Sequence, residues 1–235
     1  MTIRNRRIPG LAFLSLVIVM AGCLDAAEEA EVDYALGNDA LANVDFKRAL
    51  LHYDEAIRQN PAHAGAHLKR GQIRWQGNQY EQALPDLSQA IELDSTLTWA
   101  YFFRGVCLIT LDRLEDALPD FTRVIERYEF EAGDIARALT WRSIALFKLE
   151  RYDEAIADLT ARVELEPEQM IHRIDRGGVY EWVGETEKAV ADYRFVLDTE
   201  GLAEELRLNV AGRLASLGVE VLDEASNDST TVDIG

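Results

Sequence analysis

The sequence predicts an all-α protein made of five copies of a two-helix repeat, closed by one further helix. Three observations carry that prediction. First, Ala49, Ala83, Ala117, Ala155 and Ala189 sit in similar contexts (FKRALLHY, YEQALPDL, LEDALPDF, YDEAIADL, TEKAVADY), spaced by 34, 34, 38 and 34 residues. Second, Gly37, Gly71, Gly105, Ser143 and Gly177 run through the chain with the same four spacings. Two ladders in one register mark an internal repeat of the stacked kind. Third, the composition is that of a packed protein rich in helices, with 48% hydrophobic residues, 28% charged residues and only 5 prolines among 235.

The elements follow in order. First helices are expected near residues 30–43, 64–77, 98–111, 134–149 and 169–183. Second helices are expected near 46–58, 80–92, 114–127, 152–164 and 186–198. Glycine inside a helix costs about 1 kcal/mol relative to alanine. A glycine kept at one register therefore marks a place where a neighbouring helix comes too close for a side chain, and the ladder alanines serve the same purpose from the second helices. The four extra residues between the third and fourth repeats fall in RYEFEAGDIA. They are placed in a longer connection, with Asp134 as the cap of the next helix. Pro85 and Pro119, inside second helices, are expected to bend them. Residues 202–217 continue the helical period and cap the stack. The domain boundaries are 1–22 for a leader, 23–29 for an acidic linker, 30–200 for the repeats, 201–222 for the capping helix and 223–235 for a polar, disordered tail.

This pattern resembles the tetratricopeptide repeat, a unit of 34 residues with a small residue in its first helix and alanine in its second. Phe46, Tyr80, Leu114 and Tyr152 start the second helices as in that family, where the fifth repeat has Thr186. Pro61 and Pro167 follow second helices in the family's manner. The resemblance implies a right-handed superhelical solenoid whose first helices line a concave groove. It also implies that the groove binds protein or peptide segments.

The leader is read separately. Arg4, Arg6 and Arg7 precede ten apolar or small residues, Leu11 to Met20. Ten is too few to span a bilayer as a helix, which takes about 20 residues, and suits the apolar region of a signal peptide. Ala21-Gly22-Cys23 then resembles the lipobox of bacterial lipoproteins. That resemblance implies lipidation of Cys23 and attachment to a membrane through acyl chains. Leu24 follows the cysteine in place of the aspartate that retains many lipoproteins in the inner membrane, which leans towards the outer one. Removing residues 1–22 takes three of the 24 basic residues and none of the 42 acids, so the net charge moves from −18 to −21. Such a charge excludes phosphate-neutralising nucleic-acid binding and a basic mode of membrane contact.

Chemistry-bearing constellations are few. No Gly-rich phosphate loop, nucleophile motif or zinc signature is present. His63 and His67 have the spacing of two metal ligands on a helix, but His63 lies in a turn after Pro61 and no third ligand joins them in sequence. Cys107 sits in an apolar helix as a buried thiol. No catalytic residue, metal or cofactor is assigned. Groove-lining positions are Tyr34, Asn38, Leu68, Trp75, Phe102, Ile109, Phe147 and Trp182. For Trp75, Phe147 and Trp182, core packing competes with binding. The stretch from Tyr101 to Leu111 is apolar almost all round and reads as core. Arg70, Arg104, Arg142 and Arg176 form a third ladder, and Asp86, Asp120, Asp158 and Asp192 a fourth; both read as structural ion pairs between helices.

The functional expectation is a lipid-anchored scaffold or assembly factor at a bacterial cell envelope, facing the periplasm or exterior and binding partner segments in its groove. An envelope enzyme with an unrecognised site and a self-associating structural protein are the competing expectations. Fold alone does not choose among them.

Overall fold

Residues 25–127 and 131–220 are described by a computed structural model, and among them the chain is helical with no strand. The expected leader, Cys23 and the tail 223–235 lie outside the described residues. Eleven helices run in order: α1 (Ala26–Ala42), α2 (Phe46–Gln59), α3 (Ala64–Gln76), α4 (Tyr80–Leu93), α5 (Thr98–Thr110), α6 (Leu114–Ile125), α7 (Ala132–Lys148), α8 (Tyr152–Leu165), α9 (Met170–Trp182), α10 (Thr186–Leu197) and α11 (Glu204–Ser216). They group into two compact units, up to Arg113 and from Leu114 onward. In each unit every helix packs on the next in sequence, as the short connections require.

Two boundaries differ from the sequence expectation, for one reason. Residues 26–29, expected as linker, form the first turn of α1. Asp25 caps it, accepting from the Ala27 and Glu28 amides at 3.0 and 2.9 Å, while Glu28 reaches back to the Asp25 amide at 3.3 Å. This reciprocal box satisfies the orphan donors of the first turn, and Glu28 and Glu29 suit the positive end of the helix. Likewise α7 begins at Ala132, so the four inserted residues become an extra turn of helix. Glu131 is the cap, and Asp134 lies inside the first turn, paired with Arg137. In both places the acid-rich segment joins the helix that follows it.

The small-residue ladders are the packing points. All five ladder alanines are fully buried. A Cβ added at Gly37 would lie 2.5 Å from the Tyr53 ring, at Gly71 2.8 Å from Leu87, and at Gly177 2.6 Å from Tyr193. Each partner stands sixteen residues on, in the second helix of the same repeat. Ser143 fits the same register by turning its hydroxyl back onto the Thr140 carbonyl at 2.8 Å. Hydrophobic clusters surround two of these points, one around Tyr53 with Ala49, Ala56, Ala66 and Ile73, the other around Tyr193 with Ile174, Ala189, Val196, Val210 and Leu214.

Each repeat turns at a left-handed residue. Val44, Asn78, Asp112 and Glu150 have φ near 60°, and Gly184 has φ of 81°. The amides one residue further on (Asp45, Gln79, Arg113, Arg151, Glu185) donate to the fifth carbonyl back at 2.8–2.9 Å, closing the first helix in a Schellman turn. The same turn recurs at Gly218 after α11, thirty-four residues beyond Gly184. The capping helix is thus built as the first helix of a sixth repeat. Pro85 and Pro119 sit on exposed faces of α4 and α6, and both helices run on past them. The carbonyls that lose a donor belong to the exposed Glu81 and Glu115, where water can replace it.

One thermal-melt series tests this account. Gly37→Ala gains helix propensity but drives a methyl into the Tyr53 ring, a net loss of about 1–2 kcal/mol. Gly212→Ala, where an added Cβ meets nothing within 4 Å, gains up to about 1 kcal/mol. Val44→Gly relieves a β-branched residue held at positive φ on a 68% exposed site and gains about 0.5–1 kcal/mol. A stabilised Gly37→Ala or a destabilised Val44→Gly contradicts the geometry.

Candidate functional site

The arginine and aspartate ladders meet. Arg70 grips Asp86 with Nε at 2.9 Å and Nη2 at 2.5 Å; Arg142 holds Asp158 at 2.8 and 2.6 Å; Arg176 holds Asp192 at 2.8 and 2.6 Å. The third nitrogen, Nη1, reaches back to the second helix of the preceding repeat. Its acceptors are Asp54 at 2.7 Å, Thr122 at 2.8 Å and Thr160 at 3.2 Å, and the Arg104 guanidinium reaches Ser88 at 3.5 Å. A planar fork with five donors is suited to bridging two helices in this way. The ladder is structural, a set of ion pairs between helices. In the first repeat Leu36 and His52 occupy the two registers, and His52 pairs with Asp33 at 2.9 Å.

Asp86 is heavily committed, to His67, Arg70 and Arg74. Burial alone would raise its pKa. Hydrogen bonds from His67 and Arg70, with the charges of Arg70 and Arg74, outweigh that and hold it below the usual carboxylate range. The two histidines weighed as metal ligands are committed to structure. The His63 Nδ1 accepts the Ala66 amide at 3.1 Å, and the His67 Nε2 lies 3.0 Å from the Pro61 carbonyl oxygen. No cluster of three potential metal ligands occurs among the described residues. Cys107 is buried, and burial pushes its thiol up to about 12.

The groove positions divide sharply. In the first unit, Leu68, Phe102 and Ile109 are 9%, 6% and 4% exposed, so they belong to the core and not to a binding face. The reason is packing between successive first helices, as where α5 lies against α3. Trp75 packs against Phe103 with centroids 4.8 Å apart and the rings tilted by 41°. Tyr34 packs on His63 at 4.6 Å, and Asn38 accepts the Tyr53 hydroxyl at 2.8 Å. In the second unit the outcome is different. Trp182 is 67% exposed and meets Phe147 edge-on at 5.7 Å, and Phe147 in turn meets Tyr152 at 5.3 Å. The registers of Trp182 in the earlier repeats hold Ala42, Gln76, Thr110 and Lys148. An exposed aromatic there is not something the repeat requires.

Beside this ledge lies an open cleft of about 510 Å³, which the sequence reading did not identify. It is lined by Glu150, Arg151, Tyr152, Asp153, Glu154, Ile156, Tyr180, Val183, Glu185 and Lys188. Arg151 is held by Glu154 at 2.6 Å, and Lys188 by Glu185 at 3.2 Å. A legible signal was the departure of Trp182 and Tyr180 from their own repeat registers. The cleft itself needs residues from three helices and two turns, which no linear motif joins.

Residues 34–97 and 104–169 match the tetratricopeptide repeat family, and the chain belongs to that family. Among characterised proteins it is similar to the protein SGT1 homolog of Oryza sativa subsp. japonica, 34% identical over 73 residues, which is 31% of this chain and 20% of that protein. The match therefore spans about a fifth of that relative's length. Among solved structures it is similar to YrrB, described as a TPR protein with an unusual peptide-binding site, at 21% identity and a TM-score of 0.70 over 84% of this chain and 97% of that one. MamA follows at 18% identity and a TM-score of 0.65, over 83% and 99% of the two chains. PilF of Pseudomonas aeruginosa is similar at 16% identity and a TM-score of 0.61, over 82% and 90%. At these identities the likeness is one of fold.

The linkage of Asp86 sets a pH test. A depressed folded pKa gives stability that is complete above the unfolded value of about 3.9 and is lost as pH falls through the folded value. Asp86→Asn should cost about 3 kcal/mol at neutral pH, by leaving Arg70 without its buried partner. Below about pH 4 the melting temperature of the parent should fall more steeply than that of the variant. Parallel curves would remove Asp86 from the acid response.

Proposed function

We propose that this protein is a lipid-anchored scaffold at a bacterial cell envelope, holding partner proteins by segments docked on its repeat helices. The tetratricopeptide fold supports a protein-interaction scaffold, and proteins of this family bind protein or peptide partners. One observation carries the reading to a place on the molecule. The ledge of Trp182 and Phe147 leaves the largest apolar side chain two-thirds in water, where an exposed aromatic patch marks a partner. Tryptophan is also the residue most enriched among interface hot spots. The anchor rests on Ala21-Gly22-Cys23, with the outer membrane favoured by Leu24. Two or three acyl chains would hold stably, at about 0.8 kcal/mol per buried CH2.

Two variants test the two halves. Cys23→Ser should abolish acyl labelling and release the protein from the membrane fraction or leave an uncleaved precursor; an unchanged, membrane-bound parent without label rejects the anchor. Trp182→Ala, at a solvent-facing site, should melt within about 0.5 kcal/mol of the parent. It should also lose at least about tenfold in affinity for proteins that co-purify from the native envelope. A variant that retains the same proteins at the same affinity removes the ledge as the docking face.

A further inference from the structure

We propose that the cleft beside Trp182 selects partner segments that place a lysine or arginine next to an apolar residue. The inference rests on the docking reading above and adds the chemistry of what docks.

The aromatic ledge and the cleft are continuous, because Tyr152 belongs to both: its ring meets Phe147 at 5.3 Å and it lines the cleft opposite Tyr180. An apolar side chain laid on Trp182 and Phe147 therefore brings its chain neighbour to the cleft. A volume of about 510 Å³ lies within the range of built ligand sites.

Charge decides which neighbour. Both cations of the cleft already have partners, Arg151 gripped at two points by Glu154 and Lys188 held by Glu185. Lys188 also lies 5.5 Å over the Tyr180 ring. Glu150 and Asp153 have no ion-pair partner among the described residues, so the charge left over is negative on both. Glu150 stands at the left-handed turn residue of its repeat, which puts its side chain on the turn between α7 and α8. Asp153 lies in the first turn of α8. An incoming ammonium or guanidinium meets two carboxylates that no cation of the cleft pairs, and that favours a cation over an anion. An acidic segment meets like charge from the cleft and from the chain's net charge of −18.

The test uses short fluorescent peptides built of repeated Leu-Lys-Ser, Leu-Glu-Ser or Ala-Lys-Ser triplets, with blocked ends, and reads binding by anisotropy. The lysine–leucine peptide should bind at least about tenfold more tightly than either of the others, a difference of about 1.4 kcal/mol. Glu150→Gln with Asp153→Asn should weaken it by about tenfold, while Asp39→Asn with Glu92→Gln, an equal loss of charge on exposed sites of the other unit, should leave it within about twofold. Glu150→Lys with Asp153→Lys should reverse the preference towards the glutamate peptide. Equal weakening by the remote pair would assign the effect to the general field and overturn the cleft. So would equal binding of the lysine and glutamate peptides, or no binding of the lysine–leucine peptide. Trp182→Ala separates the readings: if it leaves lysine–leucine binding intact, the ledge fails as the docking face, whereas a charge effect lost with the ledge intact strikes only the cleft.

Discussion

The contact on which the rest depends is the one between a glycine of a first helix and a bulky residue sixteen positions later. At Gly37, Gly71 and Gly177 the partner side chain stands where a Cβ would be. Two helices can then approach until the rings of Tyr53 and Tyr193 and the Leu87 side chain come against the backbone of the facing glycine. That closeness brings the ladder alanines into full burial, and it fixes the rotation of each helix about its axis. Once the rotation is fixed, every other side chain has a determined face.

The arginine ladder is a consequence. With the helix pair set, Arg70, Arg142 and Arg176 each face the second helix of their own repeat and that of the repeat before it. Arginine is the side chain able to serve both, two donors to an aspartate and a third to Asp54, Thr122 or Thr160. The aspartates are almost completely buried and are tolerable there because each is fully engaged. The pairs thus record the stacking register more than they add stability. The turns show the opposite pattern. Four of the five repeats place a residue other than glycine at positive φ, held there by the Schellman hydrogen bonds on either side.

Function is carried where the repeats differ from one another. Registers that must pack are filled with Leu, Phe or Tyr in every repeat, and their exposure is low. The Trp182 register is polar or small in the other repeats and aromatic in the fifth. Nothing in the packing asks for that ring, and two-thirds of it stays in water. The cleft next to it draws its residues from the turn after α7, the start of α8, the end of α9 and the start of α10. Its chemistry belongs to this protein and not to the repeat as such.

How much was legible depends on whether a property repeats. Helix order, boundaries within a few residues, the packing registers and the pairing of the Arg and Asp ladders could all be read from the chain. Each recurs in one register of the repeat, and a recurring residue type reports a recurring contact. The left-handed turns recur too, but through Val44, Asn78, Asp112, Glu150 and Gly184, five different residues joined by backbone conformation alone. The extra turns of α1 and α7 were hidden because acid-rich segments read as linker until a capping residue or a neighbouring helix includes them. Three of the groove positions were the largest miss. Leu68, Phe102 and Ile109 have the spacing of a binding stripe and also the spacing of a core, and periodicity along one helix cannot distinguish the two. Only the position of the next helix decides, because burial is a property of the assembled stack. The sequence by itself determined the repeat, its packing points and its ion pairs; the tertiary structure decided which apolar residues were left facing water.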